Sequence, residues 1–265
     1  MKLELNGRVA LVTGGSKGIG RAIAKALAEE GVQVAVTARG AEALRKTALE
    51  LSAFKVLAVP ADATDPQATS AAVDRVVDVF GGLDILVNNV GGAGKFGGFG
   101  DLTATDWRNA FDLNVVSLVH FVRAAEQYLR RSKQGRIINI SSISGVQPGA
   151  FNPHYAVTKA ATINLSKFLA DYFVKDGVLV NVLCPGPVHS DSWDGNVRRL
   201  ALERGVAVEV ARQEVEREES SKIPLGRVGE GEDIAGLAVF LASERANWIT
   251  GSCFHVNGGK LRTIW

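Results

Sequence analysis

Short apolar segments alternate with longer amphipathic segments along almost the whole chain, and this alternation constrains the fold more than any other feature. Each apolar run is bounded by turn residues, as buried strands are. The predicted strands are 9–13, 32–37, 56–60, 85–88, 136–141, 179–183 and 253–256, and the predicted helices are 19–30, 41–52, 66–80, 103–131, 154–175 and 232–242. This order predicts an α/β fold, a doubly wound (Rossmann-type) parallel sheet of about seven strands with helices on both faces.

One long segment departs from the alternation. Residues 187–223 contain no strand pattern and predict two short helices, near 195–204 and 207–220, separated at Gly205. The sequence has no internal repeat, low-complexity tract or linker-like change in composition. We therefore expect a single domain over residues 1–265, with 187–223 inserted as a lid over the sheet.

Composition excludes several classes of function. The 30 basic and 28 acidic residues leave a formal net charge of +2, which favours neither a nucleic acid nor an anionic membrane as a partner. No apolar run approaches the ~18 residues of a membrane span, and the first residues lack the apolar core of a signal peptide. The two cysteines, Cys184 and Cys253, lie in predicted strands and are expected to be buried and reduced. These observations predict a cytoplasmic protein.

A glycine-rich turn, T-G-G-S-K-G-I-G over residues 13–20, connects the first predicted strand to the first helix. Glycines in such a turn let the backbone approach a pyrophosphate, while the helix N-terminus supplies N–H donors and the positive end of its dipole. The spacing differs from the more common Gly-x-Gly-x-x-Gly, but its position between strand and helix predicts a dinucleotide site. The candidate contacts are Gly14, Ser16, Lys17, Gly18, Ile19 and Gly20.

The end of the second predicted strand indicates which dinucleotide is bound. In sheets that bind NAD, an acidic residue usually ends this strand and holds the ribose diol. Here Arg39 follows the strand without a carboxylate, and Lys17 lies inside the glycine turn. The two cations and the missing acid favour the 2′-phosphate of NADP(H) over NAD(H). A solvated loop charge is the alternative interpretation of Arg39.

Tyr155 and Lys159 lie four residues apart in a predicted helix and therefore share one face, separated by about 6 Å along the axis. A phenol titrates near pKa ~10 and is a poor acid–base group at neutral pH. A neighbouring ammonium favours the phenolate and lowers that pKa. Such a pair can exchange a proton with an alcohol or a carbonyl, although an incidental pair on a surface helix has the same spacing.

Together these motifs resemble the short-chain dehydrogenase/reductase family over essentially the whole chain. The glycine turn resembles the family's cofactor motif, and Tyr155-x-x-x-Lys159 resembles its catalytic motif. Ser142 lies thirteen residues before Tyr155, where the family has its catalytic serine, and Asn114 stands where it has an active-site asparagine. The shared order and spacing of these motifs are more specific than any one of them.

The resemblance implies further contacts to the cofactor. The segment 88–91, N-N-V-G, is similar to the family's Asn-Asn-Ala-Gly, with Val90 in place of alanine, and Asp62 stands where an aspartate meets the adenine amine. The segment 185–188 is similar to the one that lines the nicotinamide, and Asn257 replaces the aspartate of an Asp-Gly-Gly motif. The implied contacts are Asp62, Ala63, Asn89, Gly91, Tyr155, Lys159, Pro185, Gly186, Val188 and Ser190.

The family's reaction is a hydride transfer between a nicotinamide and a ketone or secondary alcohol. The resemblance implies that Tyr155 is the general acid in reduction and the general base in oxidation. Lys159 is expected to lower the pKa of Tyr155 and to hold the nicotinamide ribose. Ser142 is expected to orient and polarise the carbonyl, and Asn114 to anchor a water that links Lys159 to solvent.

The sequence leaves the substrate open. We favour an NADP-dependent reductase of a small ketone, including 3-oxoacyl compounds, over a dehydrogenase of a cyclic, sugar or steroid alcohol. A catalytically silent nucleotide-sensing protein is the third interpretation, and the intact set of catalytic residues argues against it. We expect the substrate to bind between the sheet and the lid. The candidate apolar walls are Trp193, Phe96, Phe99 and Phe151.

Three further expectations concern metals, carriers and assembly. The four histidines have no ligand spacing, which predicts no catalytic metal. An acidic second lid helix disfavours polyanionic carriers, with an ordinary solvated face as the alternative. Apolar residues on the long helix at 103–131 predict a homo-oligomer, a tetramer or dimer as is common in the family. These residues are Leu113, Val116, Leu118, Phe121 and Val122.

Overall fold

The computed structural model describes residues 2–263, and within that range seven strands form one parallel sheet. The strands are β1 Val9–Thr13, β2 Gln33–Ala38, β3 Val56–Pro60, β4 Ile85–Asn88, β5 Arg136–Ile140, β6 Leu179–Pro185 and β7 Cys253–Val256. Their order across the sheet is β3-β2-β1-β4-β5-β6-β7. The order reverses between β1 and β4, and such a switch point opens a ligand-binding crevice at the carboxyl ends of the strands. The predicted doubly wound fold is confirmed.

Helices cover both faces of this sheet. They are α1 Gly18–Glu29, α2 Ala41–Glu50, α3 Pro66–Phe80, α4 Ala104–Phe111, α5 Ser117–Arg131, α6 Pro153–Phe173, α7 Asp191–Arg204, α8 Val208–Ser220 and α9 Gly231–Ala242. Alternate strand residues point to opposite faces. Thus Val12 packs in a core with α1, α2 and α9, and Leu11 packs in a second core with α3, α5 and α6.

The helix predicted over 103–131 is interrupted by a π-helical turn, Asp112–Val116. In a regular helix, the carbonyl of Ala110 would accept a hydrogen bond from the backbone N–H of Asn114, four residues later. Here the side-chain Nδ2 of Asn114 donates to that carbonyl at 2.8 Å. The side chain thereby replaces the backbone donor, and the turn widens by one residue.

The lid consists of α7 and α8, and α7 begins at Asp191, earlier than predicted. The reason is a cap, because the Oγ of Ser190 accepts a hydrogen bond from the backbone N–H of Trp193 at 3.3 Å. Gly205 ends α7 in the left-handed conformation, with φ of 65°. Trp193 packs against the small apolar cluster between the two lid helices. The expectation that it would form a wall of the substrate cleft was therefore wrong.

Three of the apolar residues offered as an oligomer surface pack inside the chain. Leu118, Phe121 and Val122 belong to the core beneath α5. On α6, by contrast, Phe168 and Tyr172 stack on each other at 6.4 Å between ring centroids and remain exposed. An apolar sequence stripe on a helix cannot distinguish these two outcomes, because both give the same periodicity.

The two cysteines differ in their exposure to solvent. Cys184 is buried as expected, whereas Cys253 is exposed because it lies on β7, the edge strand of the sheet. Among the helices of residues 2–263, none is both long and apolar enough to cross a bilayer.

Candidate active site

An open cleft of about 1030 Å³ lies at the carboxyl ends of the strands, between the sheet and the start of the lid. It brings together the glycine turn, the ends of β2 to β6 and the first turns of α6 and α7. Every predicted cofactor contact except Gly20 lines it, and so do three of the four predicted catalytic residues. Those residues are Gly14, Ser16, Lys17, Gly18, Ile19, Arg39, Asp62, Ala63, Asn89, Gly91, Ser142, Tyr155, Lys159, Pro185, Gly186, Val188 and Ser190.

Gly20 has a packing role in the glycine turn. A Cβ at Gly20 would lie 2.4 Å from the Nδ2 of Asn89 and 2.5 Å from the carbonyl oxygen of Gly14. The same Nδ2 donates to the carbonyls of Thr13 and Gly14, at 3.1 and 3.2 Å. Asn89 therefore holds the turn in shape, and Gly20 lets the first turn of α1 approach it closely.

The N-terminus of α1 faces the cleft with free donors. Its N-cap residue, Lys17, makes no side-chain capping bond, and Gly14 in the preceding turn has φ of 64°, which favours glycine. The first N–H groups of a helix have no intrahelical acceptor and form a ready anion site. The turn thus offers backbone donors that suit a pyrophosphate group.

Two cations and one fixed carboxylate line the far end of the cleft. Lys17 and Arg39 are exposed there, and the Nζ of Lys17 lies 3.9 Å from a carboxylate oxygen of Asp191 on the lid. The Oδ1 of Asp62 accepts hydrogen bonds from the backbone N–H and the hydroxyl of Thr64, at 2.9 and 2.8 Å. These bonds lower the pKa of Asp62 and keep it ionised.

Lys159 is buried at the floor of the cleft, where its Nζ donates to the carbonyl of Ile140 at 2.9 Å. The hydroxyl of Ser141 donates in turn to the carbonyl of Lys159, at 2.8 Å. Burial lowers the pKa of Lys159 to about 8, because an ammonium away from water is disfavoured. The two bonds tie the end of β5 to α6, so that Ser142 and Tyr155 face the same space.

Tyr155 is half-buried at the cleft wall, with its ring centroid 5.6 Å from the Nζ of Lys159. Burial raises the pKa of Tyr155, and the hydroxyl of Ser142 partly opposes this shift. The sequence predicted that Lys159 would lower the pKa of Tyr155. In this structure the ammonium of Lys159 is instead bound to the carbonyl of Ile140, and the hydroxyl of Ser142 is the group that lowers this pKa. Tyr155 is therefore held as a neutral phenol, which can donate a proton.

Asn114 lies beneath the cleft, not on its surface. Its Oδ1 accepts from the backbone N–H of Gly92 and its Nδ2 donates to the carbonyl of Gly92, both at 2.9 Å. A Cβ at Gly91 would lie 2.6 Å from that Oδ1 and 2.9 Å from the Nζ of Lys159. The backbone at Gly91 therefore rests directly on Asn114 and Lys159, which is why only a glycine fits.

The glycine-rich loop 91–100 is anchored at two points by residues at the start of α6. The backbone N–H of Gly97 donates to the Oδ1 of Asn152 at 3.1 Å, and the backbone N–H of Asn152 donates to the carbonyl of Gly97 at 2.8 Å. The Nε2 of His154 lies 2.8 Å from the carbonyl oxygen of Ala93. His154 is thus a structural anchor for a loop that its glycine content predicts to be flexible.

The substrate end of the cleft is more polar than the sequence predicted. Phe96 and Phe151 line it as expected, but Phe99 instead packs edge-on against Trp107, with ring centroids 6.4 Å apart. The guanidinium of Arg199 lies over the ring of Phe96, 4.7 Å from its centroid. The lining residues that sequence reasoning missed are Ser144, Asn152, Asn196 and Arg199. They carry no motif, and only the position of the lid brings two of them to the cleft.

His189 fastens the lid to the body of the protein. Its Nε2 lies 2.7 Å from the Oε2 of Glu216 on α8, and its Nδ1 lies 2.7 Å from the Oε1 of Glu230, just before α9. Burial alone would lower the pKa of His189, but the hydrogen bonds to the two carboxylates outweigh it and raise that pKa. The ring therefore bridges two carboxylates across the base of the lid, and these carboxylates favour its protonated form.

Comparisons with known proteins agree with this fold. A family model described as enoyl-(acyl carrier protein) reductase matches residues 14–260. Sorbitol dehydrogenase of Cereibacter sphaeroides is 33% identical over 259 residues, which are 97% of this chain and 99% of that protein. The 3-oxoacyl-[acyl-carrier-protein] reductase FabG of Staphylococcus aureus strain Mu50 is 36% identical over 253 residues, 94% of this chain and 96% of that protein.

Among solved structures, L-sorbose reductase from Gluconobacter frateurii, complexed with NADPH and L-sorbose, superposes with a TM-score of 0.92. It is 36% identical, and the match covers 100% of both chains. The chain belongs to the short-chain dehydrogenase/reductase family and is an oxidoreductase.

We predict that Gly91→Ala lowers kcat roughly 100-fold, because its methyl group would displace Asn114 and Lys159 by a substantial part of an ångström. Gly92→Ala is the matched control, since a Cβ at Gly92 meets no atom within 4 Å. Steady-state rates and thermal unfolding of both variants are the measurements. Equal rates in the two variants would contradict the packing argument.

We predict that His189→Gln removes a pH-dependent part of the stability. Because the folded pKa is raised, the stabilisation is complete below the ordinary histidine pKa of 6.5 and is lost as pH rises through the folded value. The difference in unfolding midpoint between the wild type and this variant should therefore shrink as pH increases. His120→Gln is the control, because His120 contacts the backbone carbonyl of Ala63 instead of carboxylates. A difference that is constant between about pH 5 and 8 would contradict the bridge.

Proposed function

We propose that the protein is an NADPH-dependent reductase of small hydroxylated ketones, and that Ser142, Tyr155 and Lys159 carry the reaction. The observation that supports this most is the shared cleft. The three side chains lie in the same open space as the uncapped N-terminus of α1 and the two exposed cations. A substrate carbonyl at Tyr155 would therefore meet a dinucleotide that extends from the glycine turn.

The residues of the chain supply proton transfer and orientation. The Oγ of Ser142 accepts from the backbone N–H of Ser144 at 3.1 Å, which leaves its own proton for Tyr155 or for a substrate carbonyl oxygen bound beside it. Tyr155, kept neutral by burial, donates a proton to that oxygen. When bound, the nicotinamide supplies the hydride. Lys159, with a pKa of about 8 and its Nζ 5.6 Å from the ring centroid of Tyr155, would supply the proton that restores the phenol.

The preference for the phosphorylated cofactor rests on charge at the far end of the cleft. Among the described residues that line the cleft, the carboxylates are Asp62 and Asp191. Asp62 already accepts a hydrogen bond from the backbone N–H of Thr64. No carboxylate follows β2, where a ribose diol would be bound, and Arg39 occupies that position. Arg39 and Lys17 would together bind a 2′-phosphate through charge-assisted hydrogen bonds.

The substrate class follows from the polar walls beside Tyr155. Asn152, Asn196 and Ser144 can donate and accept hydrogen bonds with hydroxyl groups, and Arg199 adds a further donor. The superposed L-sorbose reductase acts on a ketose and matches the whole chain, lid included. A hydroxylated ketone can bond to the donors and acceptors that remain on these side chains, whereas a purely apolar ketone cannot.

A 3-oxoacyl thioester is the second candidate, because several relatives carry that activity in their names. The acidic lid helix gives little evidence against a carrier substrate. Glu214, Glu216 and Glu218 each form an ion pair within the chain, with Arg204, His189 and Lys222. The charge of the lid is therefore largely compensated.

Initial rates of NADPH oxidation with hydroxylated ketones, apolar ketones and 3-oxoacyl thioesters test this function. We predict the highest kcat/KM with hydroxylated ketones, and a loss of about 100- to 10,000-fold in Tyr155→Phe with NADPH binding retained. Tyr172→Phe, on the exposed face of α6, is the matched control. Higher activity with thioesters would favour the second candidate. Unchanged turnover in Tyr155→Phe would refute the mechanism, and firm NADPH binding without any reduction would indicate a nucleotide sensor.

Arg39→Ala tests the choice of cofactor. We predict that it raises KM for NADPH by about 10- to 100-fold and leaves KM for NADH nearly unchanged, because one charge-assisted hydrogen-bond donor to the 2′-phosphate is lost. Arg45→Ala, an exposed cation on α2 outside the cleft, is the control. A wild-type enzyme that prefers NADH, or an equal effect on both cofactors, would overturn the assignment.

A further inference from the structure

Two thiols and an imidazole meet at the edge of the sheet, outside the cleft. Cys184 lies in β6, and Cys253 and His255 lie in β7. Residues two apart on a strand share a face, and Cys184 is the cross-strand partner of His255. All three side chains therefore project from the same face of this strand pair. Their spacing along the sequence carries no metal motif, since strand pairing alone brings them together.

The distances within this thiol–imidazole cluster match those of a metal site. The two sulfurs are 3.4 Å apart, and the Sγ of Cys253 lies 3.6 Å from the Nε2 of His255. All three ligand atoms lie within 4.8 Å of one another. Around a tetrahedral zinc ion, two sulfurs are separated by about 3.8 Å and a sulfur and a nitrogen by about 3.6 Å. Small side-chain movements would bring the cluster to those values.

The cluster is open to solvent on one side. Cys253 is exposed and His255 is partly exposed, whereas Cys184 is buried. An ion can therefore reach Cys253 and His255 first and then contact the buried sulfur. Two thiolates and an imidazole are ligands that suit Zn²⁺ and leave its fourth position to water. As each sulfur–metal bond forms, the thiol releases its proton to solvent.

The buried sulfur connects this cluster to the catalytic residues. The backbone N–H of Ser141 donates to the carbonyl of Leu183 at 2.7 Å, which places Cys184 beside the residues that follow β5. Cys184 directly follows Leu183, so its sulfur lies next to the strand end that carries Ser141 and Ser142. A cation bound to this sulfur would shift that strand end and move Ser142.

We propose that Cys184, Cys253 and His255 form a binding site for Zn²⁺, and that its occupancy slows turnover by displacing Ser142. The ligands lie outside the cleft and cannot reach a substrate carbonyl, so the ion would take no direct part in the reaction. The effect on turnover rests on the proposed function, whereas the binding of the ion does not.

Metal titration of the reduced, metal-free protein tests the site without reference to activity. We expect one equivalent of Zn²⁺ to bind per chain, and Co²⁺ to give the thiolate-to-cobalt charge-transfer absorption of a cysteine-bound ion. Cys253→Ser should weaken that absorption, because one of the two thiolate ligands is lost, and both Cys253→Ser and His255→Ala should weaken Zn²⁺ binding by at least about tenfold. His120→Gln is the matched control and should bind as the wild type does. No binding by the wild type, or equal binding by Cys253→Ser, would overturn the site.

Rate measurements then test the coupling to Ser142. Zn²⁺ should lower the rate of cofactor oxidation by the wild type, a chelator should restore it, and Cys253→Ser should keep its rate in the presence of the ion. A wild type that binds Zn²⁺ at the cluster with an unchanged rate would refute the coupling. Equal inhibition of Cys253→Ser would show that the ion acts elsewhere. A protein that binds Zn²⁺ but reduces no carbonyl would count against the proposed function and not against the site.

Discussion

The buried ammonium of Lys159 is the interaction on which the rest of the site depends. A charged amine away from water is costly unless it is hydrogen-bonded, and the carbonyl of Ile140 at the end of β5 accepts one such bond. Ser141 returns a bond to the carbonyl of Lys159. A strand end and a helix are thereby locked together at the point where the reaction would occur, so Ser142 and Tyr155 keep one relative position.

Close backbone approach is the second requirement of this architecture. A Cβ at Gly145 would lie 2.6 Å from the carbonyl carbon of Lys159, so the turn after Ser142 lies directly on α6. A Cβ at Gly91 would likewise collide with the side chains of Asn114 and Lys159. Neither glycine needs an unusual backbone conformation; each is required because no space exists for a side chain. The shape of the site therefore depends on the absence of side chains at these two positions as well as on the side chains that line the cleft.

The sequence predicted the sheet well because buried parallel strands are continuous apolar runs, which single-sequence patterns reveal. The positions of Tyr155, Lys159 and the glycine turn were equally predictable, because local spacing on one helix or turn determines them. The predicted positions of Trp193 and Cys253 were wrong, because the packing of the lid helices and the order of strands in the sheet depend on tertiary structure. The polar wall that includes Asn196 and Arg199 was missed for the same reason, since residues far apart in the sequence form it.

The π-helical turn at Asp112–Val116 separates two helices that read as one amphipathic pattern. One added residue rotates everything that follows by about 100° around the helix axis. The face that α4 presents to its neighbours is therefore out of phase with the face of α5. The added residue of the π-helical turn, together with the hydrogen bonds of the Asn114 amide group, places Asn114 beneath the cleft. In this part of the molecule, the number of residues in the helix determines which side chains lie beneath the cleft.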